Sequence, residues 1–165
     1  MINRRVNQIN LSRKLKSFLF TSICFLCFSC ENKAIYDQYQ AIEDRRWEKD
    51  KEYYFTFHID DITVPYNLTL DIRNNNLYPF QNLWIFYTIE QPIGSLQRDT
   101  IECVLADDFG KWYGKGISLF HSSFLLRSDY LFPHEGQYTY SFRQGMRTDV
   151  LKGIQEIGFR VEKAR

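Results

Sequence analysis

An all-β fold, a two-sheet antiparallel β-sandwich with a jelly-roll-like arrangement, is predicted by three features of the sequence. Apolar and polar residues alternate through much of the chain after Trp47, which is the period of a strand with one buried face. Aromatic residues make up 17% of the chain, and aromatic side chains favour strands. Turn signals built from Asn, Gly and Pro separate the alternating segments.

Residues 1–29 predict a signal peptide, which is removed and precedes the fold. This segment contains basic residues but no acidic residue. Its apolar run, 18–28, is shorter than the roughly 20 residues that a membrane-spanning helix needs. A basic start followed by a short apolar run and a small residue is the pattern of a secretory signal.

Three cysteines at the end of this segment, Cys24, Cys27 and Cys30, are spaced three residues apart. A metal or redox site is one interpretation of this spacing, but the apolar neighbours and the lack of histidine disfavour thiolates there. Ser29 and Cys30, followed by the polar Glu31, resemble a bacterial lipobox, in which the cysteine is acylated and begins the mature chain. We expect a covalent lipid on Cys30, no metal and no other cofactor, with an uncleaved membrane anchor as the alternative.

Removal of residues 1–29 leaves 16 of the 21 Lys and Arg residues against 20 Asp and Glu residues, a formal charge of −4. A mildly acidic chain without clustered cations is not expected to bind nucleic acid. Cys103 is then the one cysteine besides Cys30, and its apolar setting predicts a small buried core residue.

Residues 30–46 are polar and charged and predict a lipid-anchored tether, so that the β-sandwich domain spans 47–165. Segment 82–89 is apolar on both faces, which predicts a central strand covered on both sides. Residues 74–76 predict a turn, 119–132 a strand and loop, and 146–154 a single helical turn. Five other segments alternate, and their inward-facing residues are predicted to be Tyr53, Phe55, Phe57 and Ile59; Tyr66, Leu68, Leu70 and Ile72; Ile101, Cys103 and Leu105; Tyr138, Tyr140 and Phe142; and Ile157, Phe159 and Val161.

Candidate catalytic residues are sparse, and the sequence predicts no enzyme. His58, His121 and His134 lie in separate segments, outside any nucleophile or zinc motif. Asp107 and Asp108 suggest calcium, but their spacing fits a plain solvated turn better. A hydrolase would require a cleft in which one of the histidines meets an acid.

The most irregular segment, 107–116, is rich in glycine and carries Trp112 and Tyr113. Two interpretations remain open. Trp112 packs over one end of the sandwich, which we favour, or the aromatic pair stacks on sugar rings in a glycan-binding module.

Five motifs in residues 47–163 are the most specific features of the chain: Asn82-Leu83-Trp84, Asp99-Thr100, Gly110-Lys111-Trp112-x-Gly114-x-Gly116, Gln144-x-Met146-Arg147 and the strand containing Gly158. Together they resemble one family, the gliding-motility lipoproteins of the GldH type from Bacteroidetes. The resemblance implies an outer-membrane lipoprotein of the machinery that moves surface adhesins and is tied to type IX secretion. It supplies no catalytic residues.

An anchored domain of this kind is expected to be an assembly or scaffold component whose partners are the membrane and other envelope proteins. Its contact surface is predicted to be a sheet edge or the candidate contact loop, which contains Asp107, Asp108, Trp112 and Tyr113. The membrane face and the choice between motility and secretion stay open. The alternative is a glycan-binding envelope lipoprotein that uses the loop around Trp112.

Overall fold

The computed structural model describes residues 34–164, which form ten β-strands and one 3₁₀ segment, Glu43–Arg45. The predicted signal peptide and Cys30 lie outside the described residues. The strands are β1 (Ala34–Ala41), β2 (Arg46–Glu48), β3 (Glu52–Ile59), β4 (Tyr66–Asn75), β5 (Asn82–Glu90), β6 (Leu96–Val104), β7 (Leu119–Tyr130), β8 (Gly136–Gln144), β9 (Val150–Lys152) and β10 (Ile154–Lys163).

Eight of the strands form two antiparallel four-stranded sheets. Sheet I has the order β1-β10-β4-β7, and sheet II has the order β3-β8-β5-β6. The chain crosses between the sheets at most connections, whereas β5 and β6 form a hairpin within sheet II. This order is that of a jelly roll, so the predicted fold class is confirmed. β2 and β9 pair separately at one end.

The core lies between the two sheets and is largely aromatic. Phe159 on β10 has its ring centroid 4.8 Å from that of Tyr140, 5.4 Å from Phe142, 5.9 Å from Phe57 and 6.0 Å from Phe55. Burying one such side chain contributes about 1.5–3 kcal/mol. The ring contacts therefore hold sheet I against sheet II.

The predicted inward faces of the alternating strands are confirmed. Every residue predicted to face inward is buried except Ile101, which is half-buried. Cys103 is fully buried and unpaired, as predicted, and burial raises the pKa of its thiol well above the ordinary value.

The predicted tether is wrong from Ala34 onward, because residues 34–41 form β1 and pair with β10. Tyr36 packs against Phe57 and Phe159, with ring centroids 5.5 and 6.4 Å apart. Apolar alternation does not show this strand, because Gln38 lies opposite Phe159, on the inward side of an edge strand. Trp47 lies within β2 and does not begin the domain.

The outward face of sheet I is closed by a polar cluster that joins all four strands. Asp71 on β4 is 1% exposed and accepts hydrogen bonds from the hydroxyls of Tyr39 (3.1 Å) and Ser123. His121 Nε2 lies 3.1 Å from the same carboxylate. The Tyr39 ring covers Gly158 on β10, where an added Cβ would lie 2.5 Å from the ring. Burial, followed by the neighbouring Asp71, raises the pKa of Tyr39 to about 12, so its hydroxyl remains a donor at neutral pH.

Three smaller predictions are corrected by the structure. Segment 82–89 is central in sheet II, but its outward side chains Trp84 and Phe86 are 40% and 44% exposed, because no described residue covers that face. β4 continues through Asn75, so the turn begins at Asn76. The helical turn predicted in 146–154 is absent from the described chain, since residues 150–152 form β9 and pair with β2.

The structure predicts that a chain beginning at Trp47 is severely destabilised, whereas one beginning at Asn32 is not. The shorter chain loses β1 and the burial of Tyr36 and Ile42, and it leaves β10 as an open edge. A loss of about 3 kcal/mol or more lowers the midpoint of thermal unfolding by at least about 10 °C. Circular dichroism measures the midpoint of thermal unfolding of the two chains. Equal midpoints would support the original prediction that residues before Trp47 are a tether.

Candidate partner-contact surface

The candidate contact loop connects β6 to β7 at one end of the sandwich, and backbone hydrogen bonds fix its path. Ala106 pairs with Trp112 and Lys115 with His121 in isolated bridges. The Tyr113 N–H donates to the Leu105 carbonyl at 2.9 Å. These bonds make residues 105–116 an ordered projection of the sandwich.

Asp107 has a structural role within this loop. Its Oδ1 accepts hydrogen bonds from the backbone N–H of Phe109 at 2.9 Å and of Lys111 at 2.8 Å. Asp108 is exposed. In residues 34–164, no group of three His, Cys, Asp or Glu side chains is placed to hold a metal ion.

Trp112 is partly buried against the end of the core. Its ring centroid lies 5.7 Å from that of Phe120 and 6.4 Å from that of Tyr78. Its indole N–H donates to Asn76 Oδ1 at 2.8 Å. These contacts agree with the packing interpretation, because the ring and its donor both already have partners within the domain.

Apolar side chains other than Trp112 are exposed on the loop. Phe109 is 97% exposed, Ile117 95% and Tyr113 65%. Phe109 and Tyr113 line an open groove of about 730 Å³, together with Phe80 and Val104. Tyr113 is among the contact residues predicted from the sequence, whereas Phe109 and Ile117 are not. The signal available for Phe109 was an aromatic residue directly before a glycine within a predicted turn.

A second open surface lies on the outward face of sheet II. Its cleft of about 610 Å³ is lined by Tyr54, Phe86 and Arg143 among others. The Arg143 guanidinium carbon lies 5.7 Å from the centre of the Phe86 ring. Gly145 leaves room for that ring, because a Cβ there would lie 3.0 Å from it. Met146 Sδ accepts a hydrogen bond from the Trp84 N–H at 3.4 Å, so two of the distant sequence motifs meet beside this cleft.

The sheet edge at β6 is the third candidate. Most of its side chains are exposed, and it lies at the outer edge of sheet II. Asp99 accepts hydrogen bonds from the Tyr87 hydroxyl at 3.0 Å and from Arg127 of β7 at 3.2 Å. Hydrogen bonds from the Thr100 N–H and then Tyr87 lower the pKa of Asp99. The Asp99–Arg127 pair thus joins the two sheets beside an open strand edge.

Two of the three histidines do meet an acid. His58 Nε2 lies 3.3 Å from Asp60, at the exposed surface, and His121 contacts Asp71. Ser123 donates to the same Asp71 oxygen that His121 contacts. The serine hydroxyl is therefore held by the carboxylate, whereas an activated nucleophile would be hydrogen-bonded to the histidine.

The structure predicts that Asp107→Ala loosens the loop and that Asp108→Ala, the matched control, does not. A hydrogen bond to a charged group contributes about 1.5–3 kcal/mol, so amide exchange at Phe109 and Lys111 should accelerate roughly 10- to 100-fold in the first variant. Hydrogen exchange measured by NMR compares the two. Unchanged exchange in Asp107→Ala would contradict the assigned role of Asp107.

Comparisons with known proteins agree with the resemblance found in the sequence. The family model described as GldH lipoprotein matches residues 34–161, which includes β1. A gliding motility lipoprotein GldH homolog from Christiangramia forsetii is 36% identical over 155 residues, covering 89% of this chain and 93% of the relative. The gliding motility lipoprotein GldH of Flavobacterium johnsoniae is 34% identical over 146 residues, covering 84% and 90%. Among solved structures, a family GH115 4-O-methyl-alpha-glucuronidase has a TM-score of 0.45 at 9% identity, covering 83% of this chain and 18% of that chain, a likeness that carries no functional argument. The chain belongs to the GldH lipoprotein family.

Proposed function

We propose that this chain is a lipid-anchored outer-membrane component of the gliding-motility apparatus and acts as an assembly or scaffold protein. Its family and the names of its relatives support a role in gliding motility. The lipobox-like residues before Glu31 support acylation of Cys30. The link to type IX secretion and the outer-membrane location follow from the resemblance of the sequence motifs.

The observation that carries the proposal is the exposure of Phe109, Tyr113 and Ile117 on an ordered loop. Exposed apolar side chains grouped in this way mark sites of protein–protein contact. Because backbone hydrogen bonds already fix the loop, docking costs less conformational entropy than it would for a mobile segment. Attachment to a membrane further raises the effective concentration toward partners on the same surface.

The chemistry of the described residues supports a binding role rather than catalysis. The carboxylate of Asp71 is shared by three side chains of its own sheet, and the His58–Asp60 pair is solvent-exposed. In neither arrangement is a hydroxyl hydrogen-bonded to the histidine, as the nucleophile of a hydrolase would be.

Glycan binding is the second candidate, and we propose the cleft on sheet II for it instead of Trp112, whose ring and N–H already have partners within the domain. Tyr54 and Phe86 expose their rings there, at 59% and 44%. Hydroxyl and charged side chains such as Thr88 and Arg143 line the same cleft. Apolar rings combined with a few polar groups are typical of small-molecule sites.

The proposal predicts that the mature protein carries acyl chains on Cys30 and lacks residues 1–29. Intact-mass analysis of the protein extracted from membranes measures both features. Cys30→Ser should abolish acylation and release the chain from the membrane, because each buried CH₂ contributes about 0.8 kcal/mol to anchoring. Cys24→Ser, which lies outside the lipobox-like residues 27–30, is the matched control and should behave as the natural chain. A free thiol at Cys30 in the natural protein would refute the anchor.

Substitution of the exposed loop residues should weaken partner binding without unfolding the domain. Loss of a contact worth about 2 kcal/mol weakens the affinity for the partner roughly 30-fold in the variant Phe109→Ser with Tyr113→Ser, so less partner should be recovered. Crosslinking with mass spectrometry in the native envelope measures the recovery of other motility proteins. Tyr54→Ser is the control on the other surface. Undiminished recovery with the loop variant, together with a loss in Tyr54→Ser, would instead favour the cleft on sheet II.

A further inference from the structure

The position of β1 limits how far the domain can lie from its lipid. Ala34 begins β1 and is four residues after Cys30. Even a fully extended chain spans at most about 3.6 Å per residue, so the two Cα atoms can be no more than about 14 Å apart. Given the proposed acylation of Cys30, the end of the sandwich that contains Ala34 has to lie close to the membrane.

Strand pairing identifies the loops at that end. Ala34 pairs with Glu162 of β10, and Lys163 pairs with Tyr66, the first residue of β4. Tyr66 in turn pairs with Tyr130, the last residue of β7. In sheet II, the end of β3 pairs with the start of β8. Loops 60–65, 91–95 and 131–135 therefore lie at the same end as Ala34, and we call it the anchor end.

The candidate contact loop lies at the opposite end. Residues 105–118 follow the end of β6, whose start belongs to the anchor end. Segment 42–51, which includes β2, and loops 76–81 and 145–149 lie at the same end as residues 105–118. We call this the loop end. Sandwich strands such as β1, with 8 residues, and β4, with 10, rise about 3.3 Å per residue, so the two ends are about 30 Å apart.

The side chains of the anchor end suit contact with a particular kind of surface. Two loop tips expose apolar residues, Ile93 at 66% and Leu131 at 55%. Among the described residues around them, 34–164, acidic side chains outnumber basic ones: Asp60, Asp61, Glu90, Asp129, Glu135 and Glu162 against Lys163. An anionic surface would repel this end, whereas a zwitterionic headgroup layer would accept the apolar tips.

We propose that the anchor end rests on a zwitterionic lipid surface through Ile93 and Leu131, so that the loop end is presented about 30 Å from the membrane. This inference rests on the proposed acylation of Cys30. It defines the partner further, because a protein that docks on Phe109, Tyr113 and Ile117 has to reach the domain at that height.

The test labels two exposed serines at opposite ends, which leaves Ile93 and Leu131 in place. Ser95→Cys and Ser118→Cys, each in the full acylated protein, are labelled with a fluorophore and placed in vesicles of phosphatidylcholine and phosphatidylethanolamine that carry a headgroup quencher. The buried Cys103 remains unlabelled. We expect loss of fluorescence at position 95 and none at position 118. Equal quenching, or stronger quenching at position 118, would overturn the proposed orientation.

Two further variants separate the lipid contact from the mere shortness of the attachment. Ten Gly and Ser residues inserted between Asn32 and Lys33 add about 17 Å of average reach and should reduce quenching at position 95 only partly, if Ile93 and Leu131 hold the end on the lipid. Leu131→Asp combined with this insertion should remove the remaining difference between the labels. If the insertion alone equalises the labels, the apolar tips do not bind lipid and the proposed contact is wrong.

Intact mass distinguishes failure of this inference from failure of the proposed function. Preparations with the acyl mass but equally quenched labels refute the orientation alone. Preparations without the acyl mass refute the anchor and, with it, the orientation.

Discussion

Pairing of β1 with β10 completes sheet I. It also determines how few residues separate the folded domain from Cys30. The ladder brings Tyr36 into the aromatic core and lays Tyr39 over Gly158. Without it, β10 would be an open edge, which favours unwanted strand pairing, and the domain would hang on a long polar segment. The same backbone hydrogen bonds thus stabilise the sandwich and shorten the segment between the domain and the proposed acylation site.

The outward faces of the two sheets are chemically different, and this difference indicates where partners bind. On sheet I, three side chains from two strands, β1 and β7, contact the buried carboxylate of Asp71, and such a network is costly to disturb once water is excluded. On sheet II, Tyr54, Trp84 and Phe86 remain exposed. Leu125 of sheet I is also 57% exposed, so the difference between the faces lies in their centres: sheet I has a buried polar cluster there, whereas sheet II and the loop end expose aromatic rings.

Alternation predicted the inward faces of the long strands because each of them has one clearly buried side. It failed where that condition is absent. The inward position of Gln38 is polar because β1 is an edge strand. The apolar segment 82–89 predicts a central strand whether its outer face is covered or exposed, and in the structure that face is exposed. The loop was found from its glycines and aromatics, but Phe109 has no periodic signature, and only the folded chain shows that Asp107 accepts two loop amides.

A short attachment and an ordered loop act on the same free-energy cost. Docking has to remove the freedom of the domain on its anchor and the freedom of the contact residues on the domain. The ladder between β1 and β10 reduces the first, and the bridges at Ala106 and Lys115 reduce the second, before any partner arrives. Because folding already meets much of both costs, the proposed contact needs only a few exposed side chains, such as Phe109 and Ile117, to hold a partner that is confined to the same envelope.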